Sequence, residues 1–385
     1  MKKSLIALAV LAASGAAMAQ SSVTLFGVLD LGYENVKTEA GRISGISPSA
    51  NSSSRIGFKG VEDLGGGLAA SFWLEAAINP SSGIGSSGTQ SNNQAGVGTV
   101  AAGGLTFNRR STLSLSGNFG ELRIGRDYVP SFWNTAVFDP FGANSVGATL
   151  ANYTGNSSAA TFVRASNSIG YFLPGKLGGF YGQGTYAFGN RASNEKVGTV
   201  DTSDNGRYIG LRAGYAQGPI DVAVAYGKTN YAARTVDFSP LGGGSAVAAG
   251  DFTDVNFGGS YDFGVAKVMG TITNQKLANV VTNGNNKSIK GWSLGANAPV
   301  GAGNILAQYS QVKLDSAKAD KWSFGYTYNL SKRTAAYGTF ARVGNSGGAA
   351  VTAGSFSSGS LSAVTGAANA NKSSTGFSVG LRTSF

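Results

Sequence analysis

The sequence predicts an all-β chain folded as a 16-stranded antiparallel transmembrane β-barrel, with a long third loop folded into its opening. Three observations carry this expectation. Segments of about ten residues alternate apolar with small or polar side chains, the two-residue period of a strand that meets a different medium on each face. The joints between them alternate short and long, which a barrel with brief turns on one rim and long loops on the other requires. No run after the N-terminus reaches the eighteen or more apolar residues of a membrane helix.

Residues 1–19, MKKSLIALAVLAASGAAMA, read as a cleaved signal peptide. Lys2 and Lys3 form a basic start, an apolar run too short to span a bilayer follows, and Ala17-Met18-Ala19 supplies a small-residue cleavage site. The expected mature chain, 20–385, is a single barrel domain, and losing both lysines lowers the formal charge from +11 to +9.

The elements follow in order. VTLFGVLDLGYE (23–34) leads into a long polar joint, 35–53. SRIGFKGVE (54–62) and LAASFWLEAAI (68–78) are linked by the glycine turn DLGGG, and a long joint, 79–106, comes next. FNRRSTLSLSG (107–117) and ELRIGRDYV (121–129) share the turn NFG before the third long joint, 130–163. RASNSIGYFL (164–173) and GFYGQGTYAFG (179–189) are joined by PGKLG, with 190–205 beyond. GRYIGLRAGYA (206–216) turns through QGP into IDVAVAYGKTNY (220–231), followed by 232–252. TDVNFGGSYDF (253–263) and VAKVMGTITNQ (265–275) precede a joint expected over 276–289. KGWSLGANAPV (290–300) turns through GAG into NILAQYSQVKL (304–314). KWSFGYTYNL (321–330) turns through SK into RTAAYGTFARV (333–343). After 344–373 the chain closes on STGFSVGLRTSF, whose Phe377, Val379, Leu381 and Phe385 share one face while Arg382 lies on the other. Ten residues at about 3.3 Å each, tilted by about 45°, rise about 23 Å, close to the apolar band of an outer membrane.

Composition removes whole classes of function. The 385 residues include no cysteine and no histidine, so disulfide frameworks, thiol nucleophiles, histidine-dependent triads and zinc sites cannot be built. No cofactor, metal site or enzyme activity is expected. The basic excess comes without a basic run or an aromatic stacking motif, so nucleic acid is not an expected partner. Lipopolysaccharide outside the cell is an expected partner for rim charges.

The inward face carries the chemistry. Joint 130–163 holds Phe132, Trp133, Phe138 and Phe141 and a single carboxylate, Asp139. Aromatics of that number suit a loop folded against the inner wall. With Ile56 and Phe58 toward lipid, Arg55 and Lys59 point into the lumen. With Phe72 and Leu74 outward, Glu75 points inward, as do Asp30 and Arg212 on their strands. Leu113 and Leu115 outward put Arg110 inside; a bulge would turn Arg109 inward, and parity alone does not choose between them. Arg164 opens the strand after the long loop, within reach of a constriction. An arginine on the lipid face near the midplane costs about 2–4 kcal/mol, which favours the lumen for these mid-strand charges. Arg207 and Arg333 read as rim charges.

The chain resembles the Gram-negative general porins of beta-proteobacteria. SSVTLFGVLDLGYE, SSRIGFKGVEDLGGGLAASFWLE, FNRRSTLSLSGNFGELRIGRDYVPSFW, DPFG and the terminal Phe385 carry the resemblance, which covers essentially the whole mature chain. It implies a homotrimer in the outer membrane, a water-filled channel for small hydrophilic solutes and ions, and a third loop in each pore. It also implies a constriction in which Arg55, Arg109 and Arg164 face Glu75 and Asp139. A terminal phenylalanine implies recognition by the barrel-assembly machinery. Only one carboxylate stands in the third loop, which points to a preference for anions. A substrate-selective anion channel and a non-conducting structural or adhesive barrel are the alternative functions.

Overall fold

The computed structural model describes residues 22–85, 104–152, 161–197, 199–231, 234–237, 241, 245–248, 250–280, 285–354 and 369–385. The signal peptide expected over 1–19 lies outside these, as does much of the Gly/Ser/Ala-rich tracts 81–104 and 344–372.

Sixteen strands form the wall among the described residues. They are β1 (Ser22–Thr38), β2 (Arg55–Gly65), β3 (Leu68–Asn79) and β4 (Arg110–Gly117). Next come β5 (Gly120–Tyr128), β6 (Arg164–Phe172), β7 (Phe180–Ala187) and β8 (Tyr208–Gln217). Then follow β9 (Ile220–Thr229), β10 (Phe252–Asp262), β11 (Lys267–Val280) and β12 (Asn285–Val300). The wall ends with β13 (Gly303–Leu314), β14 (Ala317–Asn329), β15 (Thr334–Ser346) and β16 (Ser374–Ser384).

Each strand pairs antiparallel with its neighbours in sequence, and β16 returns to pair with β1 from Val28↔Ser384 to Lys37↔Thr375. Closure removes the edges that lipid cannot hydrogen-bond. The seam is completed by Phe385, which exchanges backbone hydrogen bonds with Gly27 at 3.0 and 3.1 Å. A side chain at Gly27 would begin 2.3 Å from the Phe385 ring, so glycine is needed where the terminal aromatic folds over the seam.

The two faces invert the pattern of a water-soluble protein. Trp322, Phe324, Tyr326 and Tyr328 of β14 are exposed, while Lys321 and Ser323 between and beside them are buried. On β16, Phe377, Val379 and Leu381 are outward and Arg382 is inward, where it donates to Asn51 Oδ1 at 3.0 Å. An oily outside and a polar inside is the arrangement lipid selects.

Tight turns link β2–β3, β4–β5, β8–β9, β10–β11, β12–β13 and β14–β15, with 173–179 between β6 and β7. The other rim carries longer segments except at Asp315 and Ser316, which alone link β13 to β14, and one expected joint is corrected. The joint expected over 276–289 shrinks to 281–284, because β11 and β12, 14 and 16 residues long, run on to Val280 and start at Asn285. Likewise β1 continues to Thr38 and pairs beyond the wall with a hairpin strand, Gly41–Ser47.

The one α-helix among the described residues, α1 (Pro130–Val137), starts the segment between β5 and β6. Pro130 suits a first helical position, where its missing N–H is not required. A 3-10 turn follows at Leu150–Asn152. The largest buried apolar cluster joins this segment to the loop end of the wall: Val146, Leu150 and Phe162 pack with Phe252, Leu277, Ile289, Val312 and Val343.

Candidate functional site

The described parts of segment 129–163 bond to positions on five strands the segment does not adjoin. Asn134 Nδ2 donates to the Ala223 carbonyl at 3.0 Å, and Arg212 Nε donates to Asn134 Oδ1 at 2.6 Å. Asn256 Nδ2 donates to the Ser131 carbonyl at 3.1 Å. Farther round, Thr273 Oγ1 donates to the Ala151 carbonyl at 3.2 Å, and Leu150 N–H donates to Ser310 Oγ at 3.1 Å. Glycines make room for these approaches: a Cβ at Gly258 would lie 2.1 Å from Phe138, at Gly291 2.8 Å from Ala151, and at Gly325 2.9 Å from Phe141. The described parts of the segment therefore lie against the inward side of β8 to β14.

The opposite wall, β2 to β6, carries a basic cluster. Glu75 stands at its centre. Arg109 Nε donates to its Oε1 at 2.5 Å, Trp73 Nε1 donates to its Oε2 at 3.0 Å, and Arg55 Nε lies 3.8 Å from Oε1. Charge-assisted bonds of this kind are about twice as strong as neutral ones and hold the guanidinium in a fixed plane. The Tyr128 hydroxyl is the second centre, accepting from Arg109 Nη2 at 2.7 Å and Arg164 Nη2 at 2.6 Å. Arg164 also stacks over the Tyr128 ring at 4.3 Å, and that ring stacks on Phe132 of α1 at 5.6 Å. The helix thereby buttresses the platform on which two arginines sit.

Both candidates of the NRRS stretch face inward. Arg110 obeys strand parity, bonding Thr112 Oγ1 at 3.0 Å and lying over the Trp73 ring at 4.6 Å. Arg109 precedes the regular strand, and its side chain reaches Glu75 as the bulge reading allowed. Lys59 lies over the Trp73 ring at 5.2 Å and the Phe26 ring at 5.5 Å.

Asp139 departs from expectation. It was expected to face the arginines, but it is buried within its own loop. Its carboxylate accepts from Phe141, Ala143 and Thr149 N–H at 2.9, 3.1 and 3.0 Å, and from Gln308 Nε2 at 3.1 Å. Burial pushes this carboxyl above its ordinary range, against the pull of those backbone donors and of the Lys321 ammonium. Its position makes it an organiser of the DPFG turn. Phe385 lies at the seam on the short-turn rim, away from the cluster.

Several residues escaped the sequence reading. Arg126 donates to the Asn108 carbonyl and to Ser166 Oγ, each at 2.7 Å. Parity with exposed Ile124 would send it to lipid, but the register shifts between Gly125 and Asp127. Gly125, at φ +124° and with a Cβ position only 2.1 Å from the Ser111 carbonyl, permits that bulge. A glycine inside the strand RIGRDY was the available signal. Below it, Arg123 bonds Asp127 at 2.5 Å and Glu121 at 2.9 Å, extending the column of paired charge toward the short-turn rim.

A family model described as Gram-negative porin matches residues 5–348. Outer membrane porin protein 32 of Delftia acidovorans is 41% identical over 394 residues, covering 100% of both chains. An outer membrane porin protein of Bordetella pertussis is 33% identical over 388 residues, covering 89% of this chain and 94% of that one. Among solved structures, an anion-selective porin from Comamonas acidovorans matches with a TM-score of 0.76 at 34% identity, over 95% of this chain and 100% of that one. The trimer form of OmpT, an outer membrane protein of Vibrio cholerae, matches with a TM-score of 0.63 at 18% identity, over 95% of this chain and 99% of that one, a likeness of fold.

Proposed function

The chain belongs to the Gram-negative porin family, and from that premise we propose that it conducts anions in preference to cations through a constriction set by Arg55, Arg109 and Arg164. It is an outer-membrane channel that passes small hydrophilic solutes and ions by passive diffusion. Arg110, Lys59 and Arg126 add positive charge around the same opening, and Glu75 is its acidic member. The loop 129–163 narrows the channel from the opposite side. Asp139 shapes that loop and contributes no charge to the opening.

The observation that carries this reading is the sharing of one carboxylate, Glu75, between Arg55 and Arg109, with Arg164 tied to the same Tyr128 hydroxyl as Arg109. Positive charge exceeds negative at the site, and a low-dielectric wall focuses that excess on passing ions. The name of the Comamonas relative, an anion-selective porin, supports the sign. The working unit is a homotrimer of mature chains 20–385, delivered by a cleaved leader and assembled by the barrel machinery that reads Phe385.

The test is the reversal potential of the purified protein in a planar bilayer under a KCl gradient, before and after changing Arg55, Arg109 and Arg164 together to glutamine. An anion-favouring potential that collapses in the triple variant supports the assignment. Selectivity indifferent to the change would discard this constriction, and no conductance from folded protein would leave a structural barrel. Block of conductance that saturates with one small anion would favour a substrate-selective channel.

A further inference from the structure

A second inward segment meets the loop that narrows the channel. Residues 48–54, between the hairpin strand Gly41–Ser47 and β2, turn back onto the inner face of the wall. Asp30 of β1 fixes them. Its Oδ2 accepts from the Asn51 and Ser52 N–H at 3.0 and 2.5 Å, while its Oδ1 accepts from the Tyr337 hydroxyl of β15 at 2.5 Å. Ser54 Oγ donates to the Pro48 carbonyl at 2.5 Å and accepts from the Asp30 N–H at 3.0 Å. Gly32 makes room, since a Cβ there would lie 2.9 Å from the Ala50 Cβ. The segment is thus a fixed shelf, its backbone donors ending on a buried carboxylate.

The facing part of segment 129–163 is held as firmly. Gly142, Ala143 and Ser145 take left-handed angles of φ +61°, +60° and +72°, which residues other than glycine keep only where their surroundings fix them. Asn144 Nδ2 donates to the Gly142 carbonyl at 2.9 Å, which orients the amide and leaves its Oδ1 to accept from elsewhere. Ser53 Oγ donates to that Oδ1 at 2.8 Å, across 91 residues of sequence. The Ser53 carbonyl in turn accepts from Arg55 Nη1 at 2.9 Å. Asn144, Ser53, Arg55, Glu75, Arg109 and Tyr128 therefore follow one another by hydrogen bond or ion pair. Tyr128 stacks on Phe132, at the start of the same loop, and the ring around the opening is closed.

We propose that Ser53 is a positioning residue for selectivity, its hydroxyl tying the tip of the loop to the segment that carries Arg55. Its bond to Asn144 is the one hydrogen bond of the ring made between uncharged groups, and such bonds have about half the strength of the charge-assisted ones beside them. It is the weakest joint between two fixed bodies. When it opens, the loop tip remains attached to its own side of the wall through Asp139 and Gln308. Arg55 loses the restraint that Asn144 places on Ser53 and is drawn toward Glu75. The opening widens where Ser53 stands, and positive charge leaves its centre. The effect on selectivity rests on the reading of Arg55 given above; the contact itself does not.

The test is single-channel recording of the full mature protein carrying Ser53→Ala, beside Ser53→Thr, which keeps the hydroxyl. A side-chain hydrogen bond of this kind is worth about fivefold in a two-state equilibrium, so the time spent at a higher conductance level should rise about fivefold in Ser53→Ala. That level should show a lower ratio of anion to cation permeability, and Ser53→Thr should restore the parent record. The chain has no cysteine, so Ser53→Cys with Asn144→Cys gives one site for a short bifunctional thiol reagent. Bridging, read from the mass of the folded variant, tests the contact apart from conduction, and the bridged channel should lose the higher level. Failure to bridge would refute the contact. Unchanged levels and permeability ratio in Ser53→Ala would overturn the proposal, and a lower melting temperature alongside them would assign the residue to the fold alone. Bridging in a barrel that never conducts would defeat the channel reading, and the role in selectivity with it, while leaving the contact in place.

Discussion

Glu75 restrains two arginines and is itself buried, so its removal tests how the positive side of the opening is held. Glu75→Gln keeps the shape and deletes the charge. Arg109 Nε then loses a charged acceptor, and the unbalanced guanidinium raises the local positive potential. The expected outcome is a stronger anion preference, read as a larger reversal potential, with a stability loss of up to about 3–5 kcal/mol where the pair is fully desolvated. A weaker anion preference would mean that Glu75 acts chiefly by positioning Arg109 in the path. The single residues also mark what a sequence can carry. Arg55 and Arg110 were legible because strand parity and the cost of lipid exposure agree. Asp139 was not legible: its acid type suggested a charge facing the arginines, whereas the turn it closes consumes both oxygens through backbone N–H donors and Gln308.

At the scale of elements, the strands were readable because lipid and water impose opposite demands on alternate residues, and most wall strands obey them over their central portions. Their ends were not, since above the membrane band no such alternation is enforced; β11 and β12 extend by backbone pairing alone into what looked like a loop. The bulge at Gly125 shifted parity for Arg126 through one residue's backbone freedom. The resting place of segment 129–163 was half legible: its aromatics announced burial, but the wall glycines that receive it lie more than a hundred residues away in sequence. Gly258 is the sharpest of these, with Phe138 at 2.1 Å from its Cβ position. Gly258→Val should therefore lift α1 from β10 toward the middle of the channel. Single-channel conductance should fall while strand content by circular dichroism stays unchanged. Unaltered conductance in a folded variant would show that the loop does not set the width of the opening.

For the whole molecule, the question is whether selectivity is a property of contacts or of a field. The 30 basic and 19 acidic residues give a net excess, and on β2 to β6 that excess is arranged as a column from Arg164 down to Arg123. Most of the column's charges are already hydrogen-bonded to protein, so a passing ion has few free donors to dehydrate against. A column acting mainly through its potential must be screened by salt. The Debye length is about 10 Å at 0.1 M and about 3 Å at 1 M, so a field reaching across the opening at the lower concentration is confined near the wall at the higher. The ratio of anion to cation permeability, measured at a fixed tenfold KCl gradient, should therefore fall several-fold between mean concentrations of about 0.1 and 1 M. A ratio independent of salt would argue for direct coordination at the arginines, and the constriction would then behave as a binding site instead of a charged funnel. The triple arginine variant separates the two further: under the field reading it should retain a residual, salt-sensitive anion preference from Arg110, Arg123 and Arg126, which contact selectivity at the three replaced residues would not leave behind.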